Sequence, residues 1–359
     1  MSSLSLSEEQ AQKIVNGHLP GHSESTVQYV KEIKNDGYSY TPHTRTYMID
    51  LSPNNSSTAP CSCFIVIAHP NPTNSPEYAS HTLPLLSTII HQILSRTDIP
   101  IAKPILDTSL STVPFPFLLS PASPVSSSTV LPLSAARKAG LLSPEAQIRV
   151  DLQIGRLLGQ LHGNVQNDWF GVPLLGSPDT PSDDAGYSWQ ETFTGLLESL
   201  LSEFEGKGRK DLPYQEIRGY LSRAIGSFLF DDVDTPSLIW FTGSEDDIYI
   251  STESKSSSNG IAAILPNVGH ALWGDPLLES FFLPPNPSAA FQEGYLASGG
   301  KQTIVFPRQK TKRLWYSLFL GLVVLRERSG SDGTSSTNES AALELIKQSV
   351  RALSSAPNY

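Results

Sequence analysis

The stretch Ser237-Leu238-Ile239-Trp240-Phe241-Thr242-Gly243-Ser244-Glu245-Asp246-Asp247-Ile248-Tyr249-Ile250-Ser251 reads as a strand, a tight acidic turn and a second strand. β-Branched and aromatic runs bounded by Gly, Ser and Asp carry that signal. After a polar loop, Ile261-Ala262-Ala263-Ile264-Leu265 forms a third apolar run, and the chain then closes on Gly274-Asp275-Pro276 and Glu279. This strand-loop-strand frame, Pro236 to Glu279, is the feature around which the other segments arrange themselves.

Before it the chain becomes helical. Ser143-Pro144 pairs a cap residue with proline at the first helical position. Val150, Ile154, Leu157, Leu158 and Leu161 then keep helical spacing. Ser188 and Glu191 have capping-box spacing. Trp189, Phe193, Leu196, Leu197, Leu200, Leu201 and Phe204 mark one apolar face, and Tyr214, Ile217, Leu221, Ile225 and Phe228 mark another, both expected to be core. After the frame, Arg313 to Leu325 and Ser340 to Leu353 read as helices, with a loop from Ser329 to Glu339.

Further upstream, Ser7 and Gln10 set a capping box for a first helix, Ser7 to Asn16. Arg45 to Leu51 and Cys63 to Ala68 are strand candidates, and Ile99 to Pro104 looks extended. Glu77 to Leu94 is helical, with Pro84 expected to kink or divide it. Phe115 to Leu119 is a short apolar run, and Ser and Pro then dominate as far as Leu133. The expected organisation is a β-rich lobe over 1–120, a linker over 121–142 and a helical lobe over 143–359.

Composition sets limits. In 359 residues, 39% are hydrophobic and 17% charged, which suits a globular chain with long polar loops. A net charge of -10 argues against nucleic acid or an anionic membrane as partner. No apolar run reaches the ~20 residues of a membrane span, and no secretory signal opens the chain. Cys61 and Cys63 stand one residue apart on a strand, which suits two reduced thiols in a cytoplasmic protein.

Several stretches in the right order resemble the aminoglycoside phosphotransferase and choline-kinase-like family, in a fungal-type form. They are Ile154 to His162 running on to Trp169-Phe170-Gly171, then Ser188 to Phe193, Ala271-Leu272-Trp273-Gly274-Asp275-Pro276 with Glu279 and Phe281, Phe291 to Tyr295, and Arg313-Leu314-Trp315-Tyr316. The resemblance is good from about Arg149 to Leu325. It implies an α+β, two-lobed protein-kinase-like fold with a small β-rich N-lobe and a larger helical C-lobe.

The family's catalytic loop reads His-Gly-Asp, four residues, then Asn. The Asp serves the attacking hydroxyl and the Asn holds magnesium. Alignment puts Trp240-Phe241-Thr242 on His-Gly-Asp and Asp247 on the Asn. A threonine hydroxyl does not ionise near neutral pH, so Thr242 cannot be an ordinary general base. The family's second magnesium ligand, an Asp, falls on Asn267. One carboxylate and one amide remain, a pair that would hold magnesium weakly. Val66 falls at the nucleotide-contacting lysine and Leu83 at its glutamate partner. No lysine lies between Cys61 and Asn74, and no glycine-rich cradle between Thr41 and Asn74.

These departures together point away from ATP. The expected function is binding or transformation of a small organic molecule, without ATP, in specialised metabolism. No cofactor is expected, and Mg with ATP is the variant to exclude. Thr242, Asp247 and His270 are the candidate catalytic residues, His270 as an acid or base. Val66, Trp240, Asn267 and Trp273 are the candidate ligand contacts, and Asp247 with Asn267 the candidate metal pair. Glu245 and Asp246 form a solvated turn or a polar pocket wall. The resemblance gives Asp275 a bracing role, and His162 reads as structural. Two alternatives stand: a divergent active phosphotransferase using Asp246 or Asp247 as base, and a pseudokinase scaffold for a protein partner.

Overall fold

The computed structural model describes residues 4–19, 25–33, 37–52, 61–70, 78–123, 130–175, 186–251, 260–265, 267–284, 286–329 and 336–357. Of the loop expected over Ser329 to Glu339, residues 330–335 lie outside them, as does Glu77, while 336–339 belong to the last helix, which starts at Ser336 rather than at the expected Ser340.

Helix α1 (Glu8–His18) starts at the capping box of Ser7 and Gln10. Strands β1 (Val27–Glu32), β2 (Thr44–Leu51) and β3 (Cys61–Ala68) follow, then helix α2 (Leu83–Arg96), β4 (Ile105–Asp107) and β5 (Phe117–Ser123). The strands form one antiparallel sheet in the order β1-β2-β3-β5-β4. Period-two alternation gives that sheet two different faces. Tyr47, Ile49, Leu51, Cys63, Ile65, Ile67, Phe117 and Leu119 pack with Ala11, Ile14 and Val15 of α1. The opposite face carries Met48 directly across from Phe64, and Val66 across from Leu118.

Pro84 sits in the first turn of α2 and does not divide it, because a proline there forfeits only an N–H that has no helical partner. The linker expected over 121–142 is more ordered than its composition implies. It contains β6 (Val130–Pro132) and α3 (Leu133–Lys138), and β6 pairs with the C-lobe strand at Tyr249 to Ser251. Leu133 and Ala136 are buried, so apolar burial overrides the Ser/Pro signal.

In the C-lobe, α4 (Pro144–Asn164) is capped by Ser143, and α5 (Trp189–Gly206) by Ser188. Helix α6 (Tyr214–Gly226) ends before Phe228, which is exposed, as is Ile225; the expected core stripe stops at Leu221. Strand β7 (Ser237–Ile239), the 3-10 turn Glu245–Asp247, β8 (Ile248–Ser251), β9 (Ile261–Ile264) and β10 (Leu272–Gly274) build the central frame. β8 and β9 form a hairpin, whereas β7 pairs with β10. Helix α7 (Ala289–Ala297) lies against α4, and α8 (Pro307–Arg328) and α9 (Ser336–Ser354) complete the lobe. A Cβ on Gly155 would overlap the carbonyl of Phe291, and one on Gly294 the carbonyl of Leu152. The α4–α7 contact therefore needs glycine on both helices.

Candidate functional site

The loop after β7 is held from below. Glu279, fully buried, accepts the backbone N–H of Trp240 through Oε2 at 2.9 Å, and the same oxygen lies 3.3 Å from His162 Nε2. His162 Nδ1 is 2.9 Å from the Tyr295 hydroxyl. Asp275 accepts the N–H of Leu277 at 2.9 Å and the hydroxyl of Tyr316 at 2.7 Å, and it pairs with Lys312 Nζ at 2.5 Å. Glu279 thus fixes the loop at Trp240, and Asp275 caps the 3-10 turn Pro276–Leu278 that ends at Glu279. Phe241 has φ +65°, in the left-handed region, where glycine carries no Cβ penalty. It occupies the position the resemblance gives to the glycine of His-Gly-Asp. Its ring is fully buried and stacks on Phe319, centroids 5.3 Å apart.

Thr242 is fully buried, and its Oγ1 has no hydrogen-bond partner among the described residues. Asp247 and Asn267 do come together: Asn267 Nδ2 donates to Asp247 Oδ1 at 2.6 Å. The other Asp247 oxygen accepts the N–H of Ser244 at 2.9 Å. The hydroxyl of Ser39, from the β1–β2 connection, reaches between the pair, 2.9 Å from Asp247 Oδ1 and 3.3 Å from Asn267 Nδ2. Burial pushes the Asp247 carboxyl up to about 7, against the pull of these donors. Asp247 is thus ringed by donors, and Asn267 turns an N–H rather than an oxygen toward it. Among the described residues no group of three or more His, Cys, Asp or Glu could hold a metal.

Above this pair the two lobes touch through a small apolar cluster. Met48 and Phe64 from the N-lobe meet Val130, Tyr249, Ala263 and Leu265 from β6 and the hairpin. The Phe64 and Tyr249 rings lie 5.6 Å apart. Arg328 donates to the Gly37 carbonyl at 2.9 Å and stands 4.3 Å over the Tyr40 ring, tying the β1–β2 connection down from α8.

A cavity of about 530 Å³ opens on the other side of the acidic turn, walled by Tyr38, Arg137, Asp151, Asp246, Phe281 and Phe291 among others. Phe281 stacks on Phe291 at 6.3 Å. Arg137 Nε pairs with Glu245 at 3.0 Å, and its Nη2 bonds Asp151. Asp246 accepts the Ser134 hydroxyl. Burial raises the Glu245 carboxyl, with Arg137 opposing.

The sequence candidates divide accordingly. Trp240 stands beside this region, tilted on Phe281 at 6.2 Å, with its Nε1 donating to the Asn267 carbonyl at 3.0 Å. It also borders a wholly apolar cavity of about 30 Å³ with Ile154 and Val268. Val66 is half-buried and packs against the core that contains Leu83 and Leu118. Trp273 is buried on β10, paired with Leu238 and bridged to Gly171, and does not border the large cavity.

His270 is not brought to the cavity either. It is fully buried, 3.1 Å from Glu327, with its ring edge-on to Tyr78. Burial works against ionisation of Glu327, but His270 and Arg326 outweigh it and hold that carboxyl at about 2. Unread in the sequence were Ser39, Tyr38, Arg137, Asp151 and Phe291 as neighbours of the acidic turn. Glu245 and Asp246 were open to either role, and they form cavity wall.

The two lobes, the braced loop and the β8–β9 hairpin define a protein-kinase-like scaffold. Solved structures of aminoglycoside phosphotransferases share it. A candidate aminoglycoside phosphotransferase from Ralstonia eutropha JMP134 is 12% identical, with a TM-score of 0.59 over 98% of this chain and 100% of that one. Aminoglycoside 2'-phosphotransferase-IIIa, solved with GDP, is 12% identical, with a TM-score of 0.55 over 96% of this chain and 99% of that one. Spectinomycin phosphotransferase, solved with ADP and spectinomycin, is 12% identical, with a TM-score of 0.53 over 99% and 100%. No protein-family model matches the sequence, and no curated protein does. At this identity the likeness establishes the fold. Among the described residues no helix is long and apolar enough to cross a membrane.

Proposed function

We propose that this is a kinase-fold protein that has given up ATP-dependent phosphotransfer and binds, or transforms without ATP, a small organic molecule in the 530 Å³ cavity beside the acidic turn. The observation that carries this reading is the packing of Met48, Phe64 and Tyr249 across the interlobe cleft. A nucleotide entering there must first displace buried side chains. The chemistry agrees. Thr242 offers no base, Val66 no cation, and the Asp247–Asn267 pair is already bonded to itself and to Ser39. Neither magnesium nor ATP is part of the reading.

The cavity offers what small-molecule sites need, apolar surface with a few fixed polar groups. Phe281 and Phe291 give the surface; Tyr38 and Asp246 give polar groups. Two structural neighbours were solved with nucleotides, ADP and GDP, and we attribute the difference here to this chain's own side chains. Specialised metabolism is the setting implied by the resemblance to fungal small-molecule kinases. Cys61 and Cys63, one residue apart on β3, suit a reducing, cytoplasmic compartment.

Native mass spectrometry of the protein as purified tests this. The expected result is a bound organic mass that Phe281→Ala diminishes. Co-purified ADP or ATP would sink the reading.

A further inference from the structure

Arg313, in the second turn of α8, is buried at 5% exposure. Its Nη1 donates to Asn286 Oδ1 at 2.6 Å, while Nε and Nη2 have no partner among the described residues. Among the described residues no carboxylate lies within ion-pair distance of it. An arginine does not escape this by losing its proton, and burying a cation without a counter-charge costs several kcal/mol. Burial already lowers its pKa.

The two open nitrogens are the adjacent pair that engages a carboxylate side-on. The same fork is filled elsewhere in this molecule. Arg209 puts Nε on Asp211 Oδ1 at 2.9 Å and Nη2 on Oδ2 at 3.2 Å. Arg218 puts Nε and Nη2 on Glu198 Oε1 at 2.9 and 2.7 Å. Arg313 has the donor geometry and lacks the anion.

Its one partner, Asn286, belongs to the wall of the 530 Å³ cavity. The carboxylates that share that wall are engaged, Asp151 and Glu245 with Arg137 and Asp246 with Ser134. We infer that Arg313 is the anchor of a carboxylate subsite. The carboxylate of a ligand takes the open Nε–Nη2 edge while Asn286 stays on Nη1, and its apolar body lies along Phe281 and Phe291. This deepens the proposed function and rests on the cavity being the ligand site. A planar carboxylate matches one two-pronged fork in apolar surroundings, whereas a phosphate dianion calls for more donors than Arg313 and Asn286 provide.

The test is calorimetric titration of the full chain with benzoate, with benzamide as the neutral isostere and inorganic phosphate as the rival anion. Benzoate should bind at millimolar concentration or better, and benzamide and phosphate at least roughly tenfold more weakly. Arg313→Met should abolish the benzoate signal while leaving the apo protein at least as stable in urea, because it removes an uncompensated buried charge. Arg313→Lys, which keeps charge and loses the fork, should weaken binding and serves if the Met variant does not fold. Equal benzoate affinity in wild type and either variant overturns the proposal, as do tighter phosphate binding and no benzoate binding at all. Such a failure, with no nucleotide bound, removes the subsite and leaves the ATP-independent reading standing.

Discussion

The underside and the front of the catalytic-loop frame have diverged in opposite ways. Underneath are two buried sets: Glu279, His162 and Tyr295, which hold the loop at Trp240, and Asp275, Lys312 and Tyr316, which hold the turn leading to Glu279. In front, the positions that the resemblance assigns to nucleotide and magnesium carry Thr242, Asn267 and Val66, and Met48, Phe64 and Tyr249 pack together nearby, which under the proposed function closes the cleft. The brace makes the fold, and the front would make phosphotransfer. A chain can keep the first and lose the second because bracing contacts are intramolecular and need no ligand to justify their burial.

The largest expected effects come from attacking each region's packing. Tyr249→Ala removes a buried ring from the interlobe cluster and should cost about 3–5 kcal/mol, read by urea denaturation. If the contrast holds, the opened cleft still fails to bind ATP. Glu279→Ala leaves the Trp240 N–H and His162 without their shared acceptor and should cost about 3 kcal/mol. A loss below about 1 kcal/mol for Glu279→Ala would mean that the loop is not held from below.

The next effect is one of pH. Asp247 keeps its proton to about 7 in the folded chain, above its ordinary 3.8, so its stabilisation is full below pH 3.8 and is lost as pH rises through 7. His81 has the opposite sign. Burial, partly opposed by the Ala271 carbonyl, pushes it down to about 4 from 6.5. Its stabilisation is full above pH 6.5 and is lost as pH falls through 4. In wild type the two oppose each other between pH 4 and 6.5. Asp247→Asn should therefore uncover a stability that rises with pH across that window, by an amount on the order of 1–3 kcal/mol. An unchanged pH slope of Tm would show that Asp247 is ionised in its burial site. Ser39→Ala should do least, about 1 kcal/mol, because Ser244 and Asn267 still serve Asp247.

Of the brace, the resemblance gave Asp275 its role and His162 read as structural; the Glu279, Tyr295 and Lys312 contacts join distant segments and were not read, nor was the packing of Met48, Phe64 and Tyr249. Helix caps such as Ser143 and Ser188 act on their own neighbours, so local pattern carries them. The meeting of Asp247 with Asn267 was also within reach, since one hairpin joins them. Ser39 was not, because β1 gives almost no alternation: its six residues are all half-buried or exposed, so the connection that carries Ser39 had no visible anchor. Arg137 and Asp151 belong to helices on either side of a turn and meet Glu245 only after β6 joins the hairpin. His270 was attractive as a titratable residue near the loop, but its partner Glu327 is 57 residues further on, and that pairing turns it away from the cavity. Arg313 reads as an ordinary charged residue at the start of a helix. Only burial makes its empty fork visible.

The central claim is that the front of this kinase-like scaffold no longer admits a nucleotide. Isothermal calorimetry with ATP and magnesium tests it most directly. The account predicts no heat of binding and no change in Tm at millimolar nucleotide; saturable micromolar binding of magnesium–ATP would contradict it.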